Sequence, residues 1–284
     1  MVKFVISLIL FQTAFGYSHA QDNALLYEIS GKELRFPYYV FGTFHMLCES
    51  DFVLSDSIKS KLQNTEQLVL ELDMDDPKMM SAMTAGIKMK NGTVLKDLYS
   101  KSDYVVIENY FTDSLKMSLG MIASFKPFML YSLLIPKLLD CQVVAFELEL
   151  MKLAKMQSKE VFGLETFEFQ MGIFDAIPYK IQAEYLLENI KDAKESKDEM
   201  QKMLKLYLSK DISGLENLVS NSDQMFKDFE EILLTKRNID WISKIKDFSK
   251  AKSTFFAVGA GHLSGNYGIL QLLKNEGYTI KAIE

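Results

Sequence analysis

The sequence lacks several features that would define its class at once. It has no block of basic residues, and 38 acidic residues outnumber 32 lysines and arginines, which argues against nucleic acid as a partner. No linker rich in proline, glycine and serine, no low-complexity block and no solenoid repeat interrupts the 284 residues. These absences favour one large domain.

Cysteine is also scarce, and the two that occur are Cys48 and Cys141. A single pair is compatible with one disulfide in an oxidising compartment. Two separate buried thiols explain the composition equally well, because free cysteine behaves as a small buried hydrophobe. The sequence leaves both alternatives open.

Residues 1–20 have the pattern of an export signal. Lys3 precedes a short apolar core, 4–15, and small residues up to Ala20 suit a signal peptidase. The core is shorter than the about 20 residues that span a bilayer, so no transmembrane segment is expected in the mature chain. Cleavage after Ala20 predicts a periplasmic or secreted protein that begins at Gln21, and a retained amphipathic anchor is the alternative.

Hydrophobic patterning predicts strands that alternate with helices. The strand runs, rich in β-branched and aromatic residues, cover 25–29, 38–41, 67–72, 160–165, 254–258 and 278–283. Strands separated by helices imply a mostly parallel sheet. We therefore predict a single α/β domain over 21–284, with a central, mostly parallel sheet flanked by helices and large helical insertions at about 78–155 and 178–250.

Some helix predictions are specific. The almost wholly apolar segment 128–139 predicts one buried helix. Pro178 suits the first turn of a single long helix that reaches toward Lys205. Thr166 is predicted to cap the helix after the strand 160–165, and Gly277 to end the last helix.

Histidine is scarce as well, with three in the chain. The two beyond the export signal, His45 and His262, each close a Gly-x-x-His tetrapeptide at the end of a strand run. Imidazole both transfers protons near neutral pH and binds transition metals. Two buried histidines at strand ends are the simpler alternative, but the matching contexts favour a functional interpretation.

The carboxyl ends of parallel strands meet at one edge of a sheet, where ligands collect. This rule brings His45, Glu71, Glu165 and His262 together, because each ends or follows a predicted strand. Two imidazoles and one carboxylate, with an open position for water, form a common catalytic zinc shell and also suit manganese or cobalt. The second carboxylate can orient a ligand or act as general base on water, and these residues alone do not decide which glutamate does which.

Each candidate has a structural alternative. Glu71 suits a strand-end salt bridge, and Glu165 suits capping of the next helix. Asp73 and the two acids that follow suit a solvated turn, and the methionines between 74 and 89 have the spacing of helix packing rather than of a copper site. Arg237 suits a solvated patch or a clamp on a substrate carboxylate or carbonyl.

Several short segments stand in an order that is more informative than any one of them. They are Gly42-Thr43-Phe44-His45, Glu71 in Leu-Glu-Leu-Asp, Gly163-Leu164-Glu165-Thr166 with Glu168 and Gln170, Arg237-Asn238, and Val258-Gly259-Ala260-Gly261-His262-Leu263 with Gly265. Together they resemble the motifs of the TraB/GumN family, whose animal branch is the Tiki proteases. They cover nearly the whole mature chain. Glu147 stands where relatives often have Asp, and Cys48 where Pro or another small residue is expected.

The resemblance implies an α/β core similar to erythromycin esterase and to haem-binding ChaN-like proteins. For the Tiki branch it implies metal-dependent endopeptidase activity that relies on both Gly-x-x-His motifs and a glutamate. Carried over to this sequence, it points to His45, Glu165 and His262 as metal ligands, with Glu71 and the Arg237-Asn238 pair as supporting positions.

The leading hypothesis is therefore an exported hydrolase, in the first place a peptidase, with a divalent zinc, manganese or cobalt ion. Its substrate is a peptide or a small ester or amide, and Arg237 positions the substrate or stabilises the oxyanion. One alternative is a metal-independent, esterase-like hydrolase with His45 as general base. Another is a binding protein without activity that captures haem or another iron chelate in the envelope through its histidines.

Overall fold

A computed structural model describes residues 23–32, 34–222 and 224–283. The predicted export signal, residues 1–20, lies outside the described residues. Among the helices described, none combines the length and apolar character needed to cross a membrane.

The fold is built on a six-stranded sheet with the order β6-β4-β7-β2-β1-β8. β2 pairs in parallel with β7, β7 with β4, and β4 with β6, whereas β1 is antiparallel to both β2 and β8. The strands are β1 (Leu26–Ser30), β2 (Tyr38–Thr43), β4 (Gln67–Leu72), β6 (Glu160–Glu165), β7 (Thr254–Gly259) and β8 (Thr279–Ala282), and a separate two-stranded sheet holds β3 (Leu47–Cys48) and β5 (Val143–Val144). The predicted α/β fold with a mostly parallel central sheet is confirmed.

The central strands are buried on both faces, as expected where helices cover a parallel sheet. Every residue of β2 and β7 is buried, and β4 is buried up to its last residue. Their runs of valine, leucine and phenylalanine provide the apolar surface that drives this burial. The edge strand β8 is exposed at alternate residues. The buried inner strands therefore restrict the positions of the side chains at their ends.

Helices fill the connections between strands. They are α1 (Asp56–Gln63), α2 (Met79–Gly86), α3 (Leu95–Leu98), α4 (Lys101–Asn109), α5 (Leu119–Ile122), α6 (Pro127–Ser132), α7 (Ile135–Leu139), α8 (Phe146–Met156), α9 (Phe167–Ala176), α10 (Tyr179–Lys191), α11 (Ala193–Leu208), α12 (Ile212–Ser222), α13 (Gln224–Glu230), α14 (Lys236–Ser249) and α15 (Ile269–Asn275). Short π-helical turns, Tyr110–Ser114 and Glu231–Thr235, follow α4 and α13, and a 3-10 turn, Ala260–His262, follows β7.

Two segments that were each predicted to form one continuous helix form two helices instead. The segment 128–139 is divided into α6 and α7, because Pro136 in the first turn of α7 cannot donate the backbone hydrogen bond that a continuous helix needs. The long helix after Pro178 is interrupted at Asp192, whose backbone leaves the helical region between α10 and α11. Apolar periodicity alone shows neither break.

The two predicted helix boundaries agree with the structure. The hydroxyl of Thr166 accepts a hydrogen bond from the backbone N–H of Phe169 and so caps α9. Gly277 follows α15 with φ of 86°, a left-handed conformation in which glycine has no Cβ to clash.

The small sheet of β3 and β5 carries the disulfide. Cys48 and Cys141 are bonded, with their Cα atoms 5.6 Å apart, so the disulfide alternative is the one that the structure shows. Leu47 pairs with Val144 and Cys48 with Val143. Each strand has only two residues, so the sequence contains no alternating pattern from which this small sheet could be predicted. The sheet fixes the segment after His45 against the chain that leads into α8.

Candidate active site

A pocket of about 730 Å³ opens at the carboxyl ends of β2 and β7. His45 and His262 both line it, together with side chains of α6, α10, α11, α12 and α13 and most of the segment 259–268. The strand order places the ends of β4 and β6 beside that of β7. The predicted edge of the sheet is therefore the place where the polar candidates meet.

Glu71, near the end of β4, is the carboxylate that faces both imidazoles. Its Oε1 lies 3.9 Å from Nε2 of His45 and 3.8 Å from Nε2 of His262. The backbone N–H of Gly259 donates to the same oxygen at 2.8 Å. Arg237 donates from Nη2 to Oε2 at 2.7 Å, and Gln170 donates from Nε2 at 3.3 Å. Every Glu71 oxygen thus has a fixed direction.

The pKa of Glu71 lies well below its ordinary value. Burial acts to raise this pKa. The charge that His262 gains when it is protonated in acid, the charges of His45 and Arg237 and the hydrogen bond from Gly259 outweigh burial and lower the pKa to about 2. Glu71 is therefore ionised at neutral pH, as a metal-binding carboxylate or a proton acceptor must be.

Gly259 allows this approach because it has no side chain. A Cβ atom there would lie 3.1 Å from Nε2 of His45 and 3.3 Å from Oε1 of Glu71. The φ of Gly259 is −53°, which any residue can adopt, so the requirement for glycine is space and not backbone conformation.

The side chain of His45 is held by Glu147, which lies in the first turn of α8. The Nδ1 of His45 lies 2.8 Å from Oε1 of Glu147, and the hydroxyl of Thr43 donates to the same oxygen at 2.6 Å. The His45 side chain is 61% exposed, and it faces the pocket. Desolvation acts to lower the pKa of His45, but the hydrogen bond and charge of Glu147, with the charge of Glu71, raise it to about 9. Nδ1 is therefore a donor, and Nε2 is directed to Glu71.

His262 is held in the opposite electrostatic state. Its Nδ1 donates to Oδ1 of Asn238 at 2.6 Å, and the Asn238 amide is oriented because its Nδ2 donates to the carbonyl of Tyr267 at 2.9 Å. The ring packs on Trp241, with 4.4 Å between ring centroids. Burial, reinforced by the positive charges of Arg237 and His45, lowers the pKa of His262 to about 3 despite the opposing charge of Glu71. His262 is thus neutral, and its Nε2 carries a lone pair.

Arg237 connects the buried groups. Its Nε and Nη2 donate to Glu165, Nη2 also donates to Glu71, and Nη1 donates to the carbonyl of Leu233 and contacts Nε2 of His262 at 3.2 Å. A guanidinium has five N–H donors, so this set engages all of them. Burial and these anions act in opposite directions on the pKa of Arg237, and the anions prevail and raise it. The geometry therefore favours a positioning role for Arg237 over the predicted contact with a substrate oxyanion.

Glu165 lies behind Arg237 and away from the two imidazoles. Its side chain is 0% exposed, and Trp241 donates from Nε1 to Oε1 at 2.8 Å. Arg237 and Trp241 are four residues apart on α14, so they share a face and stack at 4.8 Å. Glu165 was predicted as a metal ligand, but its oxygens already accept hydrogen bonds from these two side chains. Glu71 is the carboxylate better placed for that role.

The donor set suits a divalent cation in its chemistry. Two imidazole nitrogens and a carboxylate oxygen are ligands that zinc, manganese and cobalt accept. Neighbouring ligands of a tetrahedral cation lie about 3.4 Å apart, whereas Oε1 of Glu71 lies 3.9 and 3.8 Å from the two Nε2 atoms. Within the described part of the chain, no group of three or more His, Cys, Asp or Glu side chains is already arranged as a metal site. Nε2 of His262 also contacts Nη1 of Arg237 at 3.2 Å, so Arg237 would compete with a cation for this nitrogen.

Glu147 and Thr43 are the residues of the candidate site that sequence reasoning missed. Glu147 is in the first turn of α8, after the two-residue strand β5, so no strand run points to it. The sequence drew attention to it only as a departure from the pattern of relatives. A glutamate at the start of a helix is usually explained by its favourable interaction with the helix dipole. The sequence therefore gives no reason to expect a contact between Glu147 and His45.

The family assignment follows from comparison with known proteins. The sequence pattern of the TraB/PrgY/gumN family matches residues 25–282. The chain belongs to the TraB/PrgY/gumN family. The predicted resemblance is therefore confirmed, and it covers nearly all of the described chain.

The alignment with one curated relative covers most of this chain. The family member is similar to the protein named metalloprotease TIKI2 of Danio rerio, with 22% identity over 321 aligned positions that cover 93% of this chain. The chain spans 62% of the length of that relative. No solved structure matches the chain.

Proposed function

We propose that this TraB/PrgY/gumN family member is a metal-dependent hydrolase that acts on peptides. The observation that carries the proposal is the convergence of Nε2 of His45 and Nε2 of His262 on one oxygen of Glu71, at 3.9 and 3.8 Å. The name of the TIKI2 relative, a metalloprotease, supports the same reaction class. Zinc, manganese and cobalt all suit the donors.

His45, Glu71 and His262 would hold the cation. When bound, it would polarise the scissile carbonyl and lower the pKa of a water molecule. The chain itself keeps the three donors in position: Glu147 holds the Nδ1 side of His45, and Asn238 holds the Nδ1 side of His262. Both Nε2 atoms consequently point inward, as in metal sites where the other ring nitrogen of each histidine donates to a fixed acceptor.

Arg237 and Glu165 support this arrangement from behind. Arg237 keeps Glu71 ionised and oriented, and Glu165 with Trp241 keeps Arg237 in place. Arg237 also contacts Nε2 of His262 and so restricts the movement of that imidazole. This network positions the reacting groups and leaves the pocket side of His45 open to substrate.

Metal analysis of the purified protein tests the proposal. Wild-type protein is expected to retain about one divalent cation and to cleave a peptide library, and a chelator is expected to abolish the cleavage. His45→Ala, His262→Ala and Glu71→Gln are each expected to lose the cation, whereas Glu195→Gln, on the exposed surface of α11, retains it. Full metal retention in all three site variants, or cleavage unaffected by chelation, contradicts the proposal.

A metal-independent hydrolase is the second candidate, because Glu147 orients His45 as a carboxylate orients a catalytic histidine. In this mechanism the unprotonated His45 removes a proton from water through Nε2. Its pKa of about 9 means that activity rises with pH up to that value. Activity that survives chelation, rises in this way and disappears in His45→Ala would select this candidate.

A further inference from the structure

The active-site pocket has a part that the proposed chemistry does not use. We propose that this part binds bulky apolar side chains of a peptide substrate, next to the bond that is cleaved. We call it the apolar arm, and it is lined by Phe128, Tyr131, Tyr185, Met203, Leu218 and Val219. The inference rests on the proposed function and names its substrate class.

Size is the first argument. The pocket has a volume of about 730 Å³, and pockets of about 300–1,000 Å³ enclose ligands of drug-like size. His45 and His262 line only the end of the pocket that is next to the sheet. A scissile peptide bond alone would leave most of this volume to water, whereas flanking side chains would occupy it.

One wall of the arm is aromatic. Tyr131 of α6 and Tyr185 of α10 have ring centroids 5.0 Å apart, and Phe128 stacks on Phe174 at 4.6 Å. Phe128 also lies 6.5 Å from Tyr185 in a nearly parallel orientation. Rings that support one another in this way form a stable apolar surface, because each ring restricts the movement of the next.

Another part of the lining is aliphatic and adaptable. Met203 lies on α11, and Leu218 and Val219 lie on α12, and all three side chains are partly exposed toward the pocket. The unbranched methionine side chain adjusts to ligands of different shape. This combination suits several apolar side chains, such as leucine, methionine and phenylalanine, rather than one exact shape.

Charge excludes one class of substrate. Glu199, Glu216 and Glu230 line the same pocket together with Lys227. Apart from the two site histidines, three carboxylates and one ammonium line the pocket. This excess of negative charge makes an acidic substrate side chain unfavourable near them, because like charges repel in a pocket of reduced dielectric. The arm is continuous with His45 and His262, so its occupant is the part of the substrate beside the scissile bond.

Fluorogenic peptides that differ at a single position flanking the cleaved bond provide the test. Leucine, methionine and phenylalanine are expected to give kcat/KM values about 10 to 100 times that of alanine, and aspartate a lower value than alanine. Met203→Glu is expected to remove most of this preference, and Met203→Leu to retain it. Met156→Glu is the matched control, because Met156 is 81% exposed and outside the pocket.

Binding separates the arm from the catalytic proposal. Fluorescence anisotropy of a labelled leucine-rich peptide is measured with His45→Ala, alone and combined with Met203→Glu. Tight binding that weakens about tenfold with Met203→Glu supports the arm, even if no peptide is cleaved and the proposed hydrolase is wrong. Cleavage without apolar preference, or binding insensitive to Met203→Glu in a protein that unfolds normally, overturns the arm. Haem that binds the pocket while the peptide does not overturns it as well.

Discussion

The imidazole of His45 and the carboxylate of Glu147, 102 residues apart in the chain, share a hydrogen bond of 2.8 Å. Two-residue strands bring them together: β3 begins two residues after His45, and β5 ends three residues before Glu147. The pairing of these strands and the disulfide between Cys48 and Cys141 fix both segments. The orientation of a candidate catalytic residue thus depends on a structural unit outside the main sheet.

Loss of the Glu147 carboxylate is expected to lower the pKa of His45. In metal-free protein, Glu147→Gln removes the charge that raises this pKa to about 9, so His45 titrates nearer its ordinary range in NMR of the imidazole protons. Metal affinity or activity is expected to fall by about 10- to 100-fold, as for other residues that orient ligands. Glu149→Gln on the same helix, where Glu149 pairs with Lys152 at the surface, serves as the control. An unchanged His45 titration contradicts the assignment.

Arg237 is expected to be a major source of stability. Arg237→Ala leaves the fully buried carboxylate of Glu165 without its cationic partner, and breaking such a pair costs about 3–5 kcal/mol in free energy of unfolding. Arg237→Lys is expected to be destabilised as well, because one ammonium cannot replace the forked guanidinium. Denaturant titration measures both. Lys236→Ala, which removes an exposed partner of Glu231, is expected to change the free energy by less than about 1 kcal/mol. Equal effects at both positions would reject this role.

Gly259→Ala is expected to impair the site more than the fold. The added methyl would contact His45 and Glu71 at 3.1 and 3.3 Å, so these side chains must move apart. Gly261→Ala is the control, because a Cβ at that position meets nothing within 4 Å. We expect loss of metal and activity in Gly259→Ala, and values near wild type in Gly261→Ala. Similar behaviour of the two variants in metal analysis would contradict the close approach.

The disulfide is expected to stabilise the chain and the His45 segment. It closes a segment of 93 residues, and the double variant Cys48→Ala/Cys141→Ala is expected to lose about 2–5 kcal/mol in free energy of unfolding. In the fraction that remains folded, looser pairing of β3 with β5 is expected to weaken the contact of His45 with Glu147. NMR titration of His45 detects this as a fall of its pKa. A loss of stability without any change in the pKa of His45 would show that the disulfide stabilises the fold but does not position His45.

Glu71 gives a pH dependence of known sign in metal-free protein. Its pKa falls from about 4.5 to about 2 on folding, so it stabilises the fold above pH 4.5, and this contribution is lost as the pH falls toward 2. The stability difference between wild type and Glu71→Gln should therefore be largest near pH 7 and shrink below pH 4.5 in denaturant titrations. A difference independent of pH would show that the Glu71 pKa is not lowered.

The sequence predicted the sheet well because its signals are local. The strands 67–72 and 160–165 agree residue for residue with β4 and β6, since short apolar runs are confined between turn residues. The topological rule for parallel sheets then placed His45, Glu71 and His262 at one edge without knowledge of any contact. The breaks in the helices were not predicted, because they depend on local backbone geometry within apolar runs.

The sequence by itself determined which groups can perform chemistry: two Gly-x-x-His motifs at strand ends, a glutamate on each of two predicted strands, and Arg237. Only the tertiary structure decided how these groups are used. It placed Glu71 between the imidazoles, withdrew Glu165 behind Arg237 and brought Glu147 to His45. The physical reason is range. Strand propensity and residue chemistry act within a few residues, whereas the contacts Glu165–Arg237, His45–Glu147 and Glu71–Arg237 join residues 72, 102 and 166 positions apart. Packing of the whole domain decides which of these contacts form.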